Sequence, residues 1–298
     1  MLPFITIFTP TYNRAQTLPQ LYESLCRQSD KDFIWLIVDD GSSDNTSELI
    51  AQWAKEGKIK VSYTRQQNSG KMRAHNHGAR LAQSELFLCV DSDDFLADNA
   101  IADIHSAWEK RERNVCGIIA HKCIVDKAKN TRTARTFPIK GPTSQFDLYS
   151  TGYKGDLTLV FRTDILRQYP FPEIEDEKFI TEATAYDLID LNHKYMLLDK
   201  ALTICEYRPD GYTANAAKTE LQYPKGWALY HNQRAHYFSP TLKHKLRNTM
   251  FYIMYSRMAH VQDIYTKSST KGLLYVLSWI LCMAKEKAYI NNLKKSCR

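Results

Sequence analysis

The sequence predicts an α/β protein: a mostly parallel, Rossmann-like sheet flanked by helices, followed by a helical C-terminal region. Three observations carry this prediction. Short apolar runs alternate with amphipathic stretches through the first hundred residues, the pace of strand–helix–strand units with right-handed crossovers. One of those runs, Phe33 to Val38, is apolar throughout, as a strand covered on both faces requires. After Pro224 the chain reads as helix alone. With 298 residues, the chain accommodates one large domain or two ordinary ones. Its 44% hydrophobic and 24% charged residues exclude disordered, collagen-like and disulfide-scaffold classes.

The elements follow in order. Phe4 to Thr9 is β-branched and aromatic and stops at Pro10, which makes it a strand. Leu18, Leu21, Leu25 and Cys26 recur at helical spacing. Phe33 to Val38 is the second strand, and Asp44 or Thr46 can cap the helix carrying Leu49, Ile50 and Trp53. Ile59 to Tyr63 is a third strand, Lys71 to Ala82 a helix, and Leu86 to Val90 a fourth strand. Asp94 is expected to cap the helix through Ile104 and Trp108. Strands are expected at Cys116 to Val125, Thr158 to Phe161 and Ala201 to Tyr207, with a helix from Glu182 to Leu191. A polar segment runs from Asp126 to Ser144. These elements place a sheet domain at residues 1–215 and a helical, basic region at 216–298.

Charge is unevenly spread. Forty Lys and Arg against 33 Asp and Glu give +7, yet Thr241 to Arg298 alone holds eleven basic residues against Asp263 and Glu286. Within that tail, Gly272 to Ala284 is apolar and framed by Lys271, Lys285 and Lys287. Thirteen residues are too few to span a bilayer, so the segment suits either a helix in the membrane interface or a core helix. Seven cysteines form no CxxC pair and no zinc spacing, the pattern of buried free thiols in a reducing compartment. Met1 to Thr9 lacks a secretory signal's basic start and apolar stretch, so a cytoplasmic protein is expected.

In an open parallel sheet, ligands bind at the carboxyl ends of the strands. Three polar clusters follow the ends of strands one, two and four: Pro10-Thr11-Tyr12-Asn13-Arg14, Asp39-Asp40-Gly41-Ser42-Ser43-Asp44 and Asp91-Ser92-Asp93-Asp94. Each alone reads as a turn; together they define one edge. If Asp91 and Asp93 are extended, both carboxylates face one ligand, and hard oxygens of this kind select Mg²⁺ or Mn²⁺ shared with phosphates. The chain has neither a GxGxxG after strand one nor a GxxxxGK[ST] anywhere, so a nucleotide must be gripped by side chains and metal. Tyr12 offers a ring for a base, and Asp40 can accept the imide N–H of uracil. His75 and His77 are expected to face solvent or donor phosphates.

With these motifs, Asn68-Ser69-Gly70-Lys71, Gly155-Asp156, Arg162-Thr163-Asp164, Phe171-Pro172, Glu177 to Glu182 and Tyr207 to Tyr212, the chain resembles the family-2 glycosyltransferases of GT-A fold over about residues 4–215. The resemblance implies an inverting transferase that uses a UDP-sugar and Mn²⁺ or Mg²⁺. By position it implies that Pro10, Thr11 and Tyr12 line the nucleoside and that Asp40 binds uracil. Arg14, Asn68, Gly70, Lys71 and Ser92 fall in the donor-binding motifs. Asp91 is implied near ribose and metal, Asp93 as the metal ligand, and Glu182 as the catalytic carboxylate. Asp156 could hydrogen-bond acceptor or donor hydroxyls. Asp176, Glu177 and Asp187 are rival carboxylates, read as surface charges or helix caps. The chain has Ala74-His75-Asn76 where many relatives have Ala-Arg-Asn, so Lys71 or Arg73 would take over the phosphate contact.

No QxxRW, the signature of processive synthases, is present. One hexose or N-acetylhexosamine per encounter is therefore expected. The implied acceptor is a lipid-linked O-antigen or capsule precursor at the cytoplasmic face of the inner membrane, with peripheral membrane contact. The alternative is a non-catalytic carbohydrate- or lipid-binding module on a degenerate transferase scaffold. Nucleic acid is not an expected partner, since no RRM, KH or helix-turn-helix pattern frames the basic tail.

Overall fold

The computed structural model describes residues 2–126, 131–132, 136–206 and 215–297. Its elements are β1 (Ile5–Thr11), α1 (Leu18–Cys26), β2 (Phe33–Asp39), α2 (Thr46–Glu56), β3 (Val61–Arg65), α3 (Lys71–Leu81) and β4 (Leu86–Cys89). There follow β5 (Phe95–Leu96), α4 (Ala100–Glu109), β6 (Val115–Asp126), β7 (Thr131–Arg132), α5 (Gln145–Ser150), β8 (Leu157–Arg162), α6 (Thr163–Leu166), α7 (Ala183–Asn192) and β9 (Lys194–Glu206). The helical end comprises α8 (Ala216–Gln222), α9 (Pro224–Tyr237), α10 (Leu242–Met258), α11 (Ile264–Lys267) and α12 (Gly272–Ser296). The Tyr207 to Tyr212 motif lies outside the described residues, as does part of the polar segment after Asp126.

The described strands form one sheet in the order β3-β2-β1-β4-β8-β6-β9-β5, with β7 paired to β6. β1 to β4 pair in parallel, as their β–α–β spacing requires. β8 is antiparallel to both β4 and β6, while β9 runs parallel to β6. This register positions the site. β8 begins at the edge where β4 ends, and Asp156, just before β8, accepts the Lys122 N–H of β6 at 3.0 Å. The carboxyl ends of β1, β2 and β4 therefore share an edge with Lys122 and Asp156.

The chain divides into two compact units, Met1–Pro170 with Ala185–Tyr207, and Phe171–Thr184 with Arg208–Arg298. In the first unit the strands alternate strictly between two apolar layers. Ile5, Ile7, Trp35, Ile37, Leu86 and Leu88 face a cluster with Leu18, Ile50, Ile104 and Trp108 from α1, α2 and α4. Tyr22 and Trp53 stack there at 4.4 Å. Phe8 and Phe87 face the other way, stacked at 5.2 Å. α3 reaches that face because Gly78 has no Cβ: one placed there would lie 2.1 Å from the Phe8 ring.

In the second unit the Glu177 carboxylate accepts the Lys225 and Gly226 N–H groups, 2.5 Å each, and so caps the start of α9. Burial pushes this carboxyl up in pKa against those two bonds. Met250, Ile253, Met254, Tyr255, Tyr275 and Cys282 form the helical core, and Glu220 Oε2 accepts both the Tyr255 and Tyr289 hydroxyls. Of the seven cysteines, all free, only Cys116, Cys123 and Cys282 are buried and Cys297 is exposed. The expectation of buried free thiols thus holds for three of them, while Cys26, Cys89 and Cys205 are partly buried and Cys297 is exposed at the end of α12.

Candidate active site

The loops after β1 and β2 hold each other. Asn13, at φ +53°, receives the Ser43 N–H on Oδ1 at 2.8 Å and donates its own N–H to Ser42 Oγ at 2.9 Å. Asp44 accepts the Ala15 N–H at 3.1 Å, and Arg14 N–H donates to Thr46 Oγ1. Asp44 serves both loop and helix, since its Oδ1 also accepts the Thr46 N–H at the start of α2 at 3.1 Å, as expected of a cap, while the Asn45 side chain makes no capping bond. Gly41 closes the second loop at φ +86°, where a Cβ would sit 3.0 Å from the Asn68 nitrogen.

Asp39 and Asp40 are both buried. Asp39 accepts the Ser42 N–H and the Tyr63 hydroxyl, so it is a structural anchor. Asp40 accepts the Ser69 N–H at 2.9 Å, the Gly70 N–H at 2.8 Å and Gln66 Nε2 at 2.8 Å. A carboxylate offers about four lone-pair positions, so one position remains for a ligand donor. Gln66 in turn meets His77 Nδ1 at 3.0 Å. Sequence reasoning missed Gln66; its position between strand three and the Asn68-Ser69-Gly70 run was the available signal. Beside this group Tyr12 is 48% exposed, Pro10 is buried, and the buried Thr11 Oγ1 has no hydrogen-bond partner among the described residues.

Asp91 to Asp94 forms a turn closed by the Asp94 N–H on the Asp91 carbonyl at 3.0 Å. This corrects the extended geometry expected for Asp91-Ser92-Asp93; β4 ends at Cys89. Strand alternation therefore does not set where the two carboxylates face. Nor does Asp94 cap α4, which starts at Ala100 after Asn99. Asp94 is buried and needs a cation, which Lys122 Nζ supplies at 2.6 Å. Burial pushes Asp94 up in pKa despite that lysine. Asp91 pairs with Lys71 Nζ at 2.7 Å. Burial would raise Asp91, but the Lys71 and Lys122 charges outweigh it and hold the carboxyl below its ordinary value. Lys122, distant in sequence, carried no motif and was missed.

His75 does not face solvent or phosphate. It is buried, edge-on to Phe8 at 5.5 Å and Phe87 at 5.3 Å. Burial, then the Lys71 charge, lowers its pKa to about 3.

Gly70 and Lys71, adjacent at the start of α3, thus touch Asp40 and Asp91 respectively. Ser92 is buried in the turn, and Asp93 is half-buried beside it. Asp156 is exposed at the same edge. Glu182 belongs to the second unit, exposed on the residue before α7. Asp176 takes φ +65°, Glu177 is the α9 cap already described, and Asp187 is buried in α7.

Two carboxylates in one turn fit a hard cation such as Mg²⁺ or Mn²⁺ whose remaining ligands are phosphate and water. The described residues hold no group of three or more His, Cys, Asp or Glu placed to bind a metal by themselves.

Such a sheet, with its acidic loops gathered at one edge, has the architecture of the GT-A fold. Residues 6–169, more than half of the chain, match the glycosyl transferase family 2 model, and the chain belongs to that family. It is 26% identical over 234 residues to the GalNAc(5)-diNAcBac-PP-undecaprenol beta-1,3-glucosyltransferase of Campylobacter jejuni subsp. jejuni serotype O:2, covering 76% of this chain and 72% of that one. It is 25% identical over 221 residues to the poly(ribitol-phosphate) beta-N-acetylglucosaminyltransferase TarS of Staphylococcus aureus, covering 71% of this chain and 37% of TarS. Among solved structures, S. aureus TarS 1-349 in complex with UDP-GlcNAc shares the fold at a TM-score of 0.60 and 19% identity, over 99% of this chain and 91% of that one. The mannosyltransferase PcManGT of Pyrobaculum calidifontis, in complex with GDP-Man and Mn²⁺, matches at a TM-score of 0.56 and 14% identity, over 100% of this chain and 86% of that one.

Proposed function

We propose that the chain is a non-processive, inverting glycosyltransferase that moves one hexose or N-acetylhexosamine from a UDP-sugar to a saccharide acceptor. The acceptor in this reading is a lipid-linked O-antigen or capsule precursor at the cytoplasmic membrane face. The observation that carries it is the start of α3: consecutive residues Gly70 and Lys71 join the Asp40 and Asp91 clusters into one site. The Campylobacter relative, named for an undecaprenol-linked acceptor, supports the acceptor class. TarS, solved with UDP-GlcNAc, supports the donor class.

In this reading Tyr12 stacks on the base, the unpartnered Thr11 hydroxyl bonds the nucleoside, and the open position of Asp40 accepts the uracil imide. Arg14, Asn68 and Ser92 line the donor. Lys71 neutralises diphosphate charge as well as Asp91. Asp93 and Asp91 would hold a divalent cation, which as a Lewis acid would stabilise the departing UDP. Glu182 takes the proton from the acceptor hydroxyl as that oxygen attacks the anomeric carbon, and Asp156 orients sugar hydroxyls. Displacement from the face opposite UDP inverts the anomeric configuration.

The test is a panel of UDP-sugars with Mn²⁺ and a GlcNAc-diphospho-lipid analogue, the product's anomeric configuration read by NMR. Inversion with one sugar added, lost in Asp93→Ala and in excess EDTA, is expected. Retention, polymer formation or full activity of Asp93→Ala overturns the corresponding part.

A further inference from the structure

α12 has two unlike flanks. The inner one packs within the second unit through buried Tyr275, Ser278, Cys282 and Leu293. The outer flank exposes Leu273 (75%), Val276 (51%), Leu277 (42%) and Ile280 (59%), joined by Leu281 and Met283. These recur every three or four residues over three turns and form one continuous apolar strip. Past Ala284 the same flank carries exposed Lys287, Lys294 and Lys295, while exposed Lys271 and Lys285 bracket the apolar turns. Glu286 is the one acid on the helix, and Arg257 holds it at 3.1 Å.

We infer that this outer flank is the seat of an anionic lipid surface, with the apolar turns among acyl chains and the lysines at headgroup phosphates. Three arguments select this occupant. An apolar strip of such width in water marks a surface meant to be covered. Its dozen residues span about 18 Å, well short of the roughly 30 Å of bilayer hydrocarbon, and no helix of the described residues is long and apolar enough to cross a membrane. The helix therefore lies along the interface. Charge decides between lipid and a second copy of the chain. Two α12 helices face to face would bring lysines together with no acid on that flank to answer them, whereas anionic headgroups answer every one.

The inference deepens the lipid-linked acceptor reading, yet its test needs no donor or turnover, so the two can fail separately. The full chain is sedimented with phosphatidylcholine vesicles, with and without phosphatidylglycerol, at low and high ionic strength. Binding only to the anionic vesicles is expected, weakened on the order of tenfold by high salt. The Leu277→Gln/Ile280→Gln pair, on exposed positions, should lose at least about tenfold in vesicle affinity with unchanged melting. Leu273→Gln repeats the test if the pair folds poorly. Lys287→Gln, Lys294→Gln and Lys295→Gln should each cost about fivefold on anionic vesicles. Three results overturn the inference: no vesicle binding by the wild-type chain, undiminished binding by the apolar variants, or a lipid-free dimer that those variants dissociate.

Discussion

Lys71 Nζ stands 2.7 Å from Asp91 Oδ1, so a cation occupies the first turn of α3, where the helix dipole disfavours it. The carboxylate offsets that conflict, and under the proposed function a diphosphate would offset it further. Lys71→Met should weaken UDP binding by on the order of tenfold while changing stability by less than about 1 kcal/mol, since the pair is partly exposed. Calorimetric titration with UDP and Mn²⁺ reads the first, a urea midpoint the second. Unaltered UDP affinity would remove Lys71 from the donor site.

Glu182 is assigned the transition-state task alone. Glu182→Gln keeps size and hydrogen bonding, so UDP affinity should stay near normal while kcat falls at least about a hundredfold. A fall of less than about tenfold transfers the role to another carboxylate. Asp176 is then the first to test, because Glu177 is committed to α9 and Asp187 is buried.

His75 makes stability depend on pH. Its imidazole stays neutral down to about pH 3 in the folded chain but protonates at about 6.5 when unfolded. The folded state binds fewer protons between those values, so this contribution is fully present above pH 6.5 and is lost as pH falls towards 3. Wild type should lose about 2 kcal/mol more than His75→Phe on going from about pH 7 to about pH 5. His231, lowered to about 4, acts in the same direction in both proteins and cancels in the comparison. Parallel pH profiles in urea unfolding would refute this.

Gly78 tests how closely α3 sits on the sheet. Alanine would gain up to about 1 kcal/mol in helix propensity. A Cβ 2.1 Å from Phe8, however, must displace a ring packed against Phe87, which costs about 1–3 kcal/mol. Gly78→Ala should therefore lower the denaturation midpoint; a raised midpoint would mean that α3 shifts freely.

The parallel half was legible because its signals are local. β2 and β4 are contiguous apolar runs, and β1 is β-branched and aromatic, although it continues through Pro10 to Thr11 instead of stopping at the proline. The loop clusters at their ends were legible for the same reason. What escaped depends on distant partners. Asp94 looked like a helix cap until Lys122, on a strand two places away in the sheet, claimed it. His75 looked polar until Phe8 and Phe87 enclosed it. β9 begins at Lys194 rather than Ala201: Asp199-Lys200 interrupts its apolar runs, and pairing with β6 carries the strand across that pair through a register shift that no local pattern announces.

The Glu177 cap ties the short peptide Phe171–Thr184, which carries Glu182, to α9. Modular exchange between relatives is constrained accordingly. A donor-specificity swap has to carry residues 185–206 along with residues 1–170, because β9 pairs with both β6 and β5 in the sheet. A swap that replaces everything after residue 206 separates the peptide from its fastening. Such a hybrid would inherit the proposed base on a peptide that had lost the Glu177 bonds to α9. Acceptor chemistry and the helical end should therefore be transplanted together, as one heritable block.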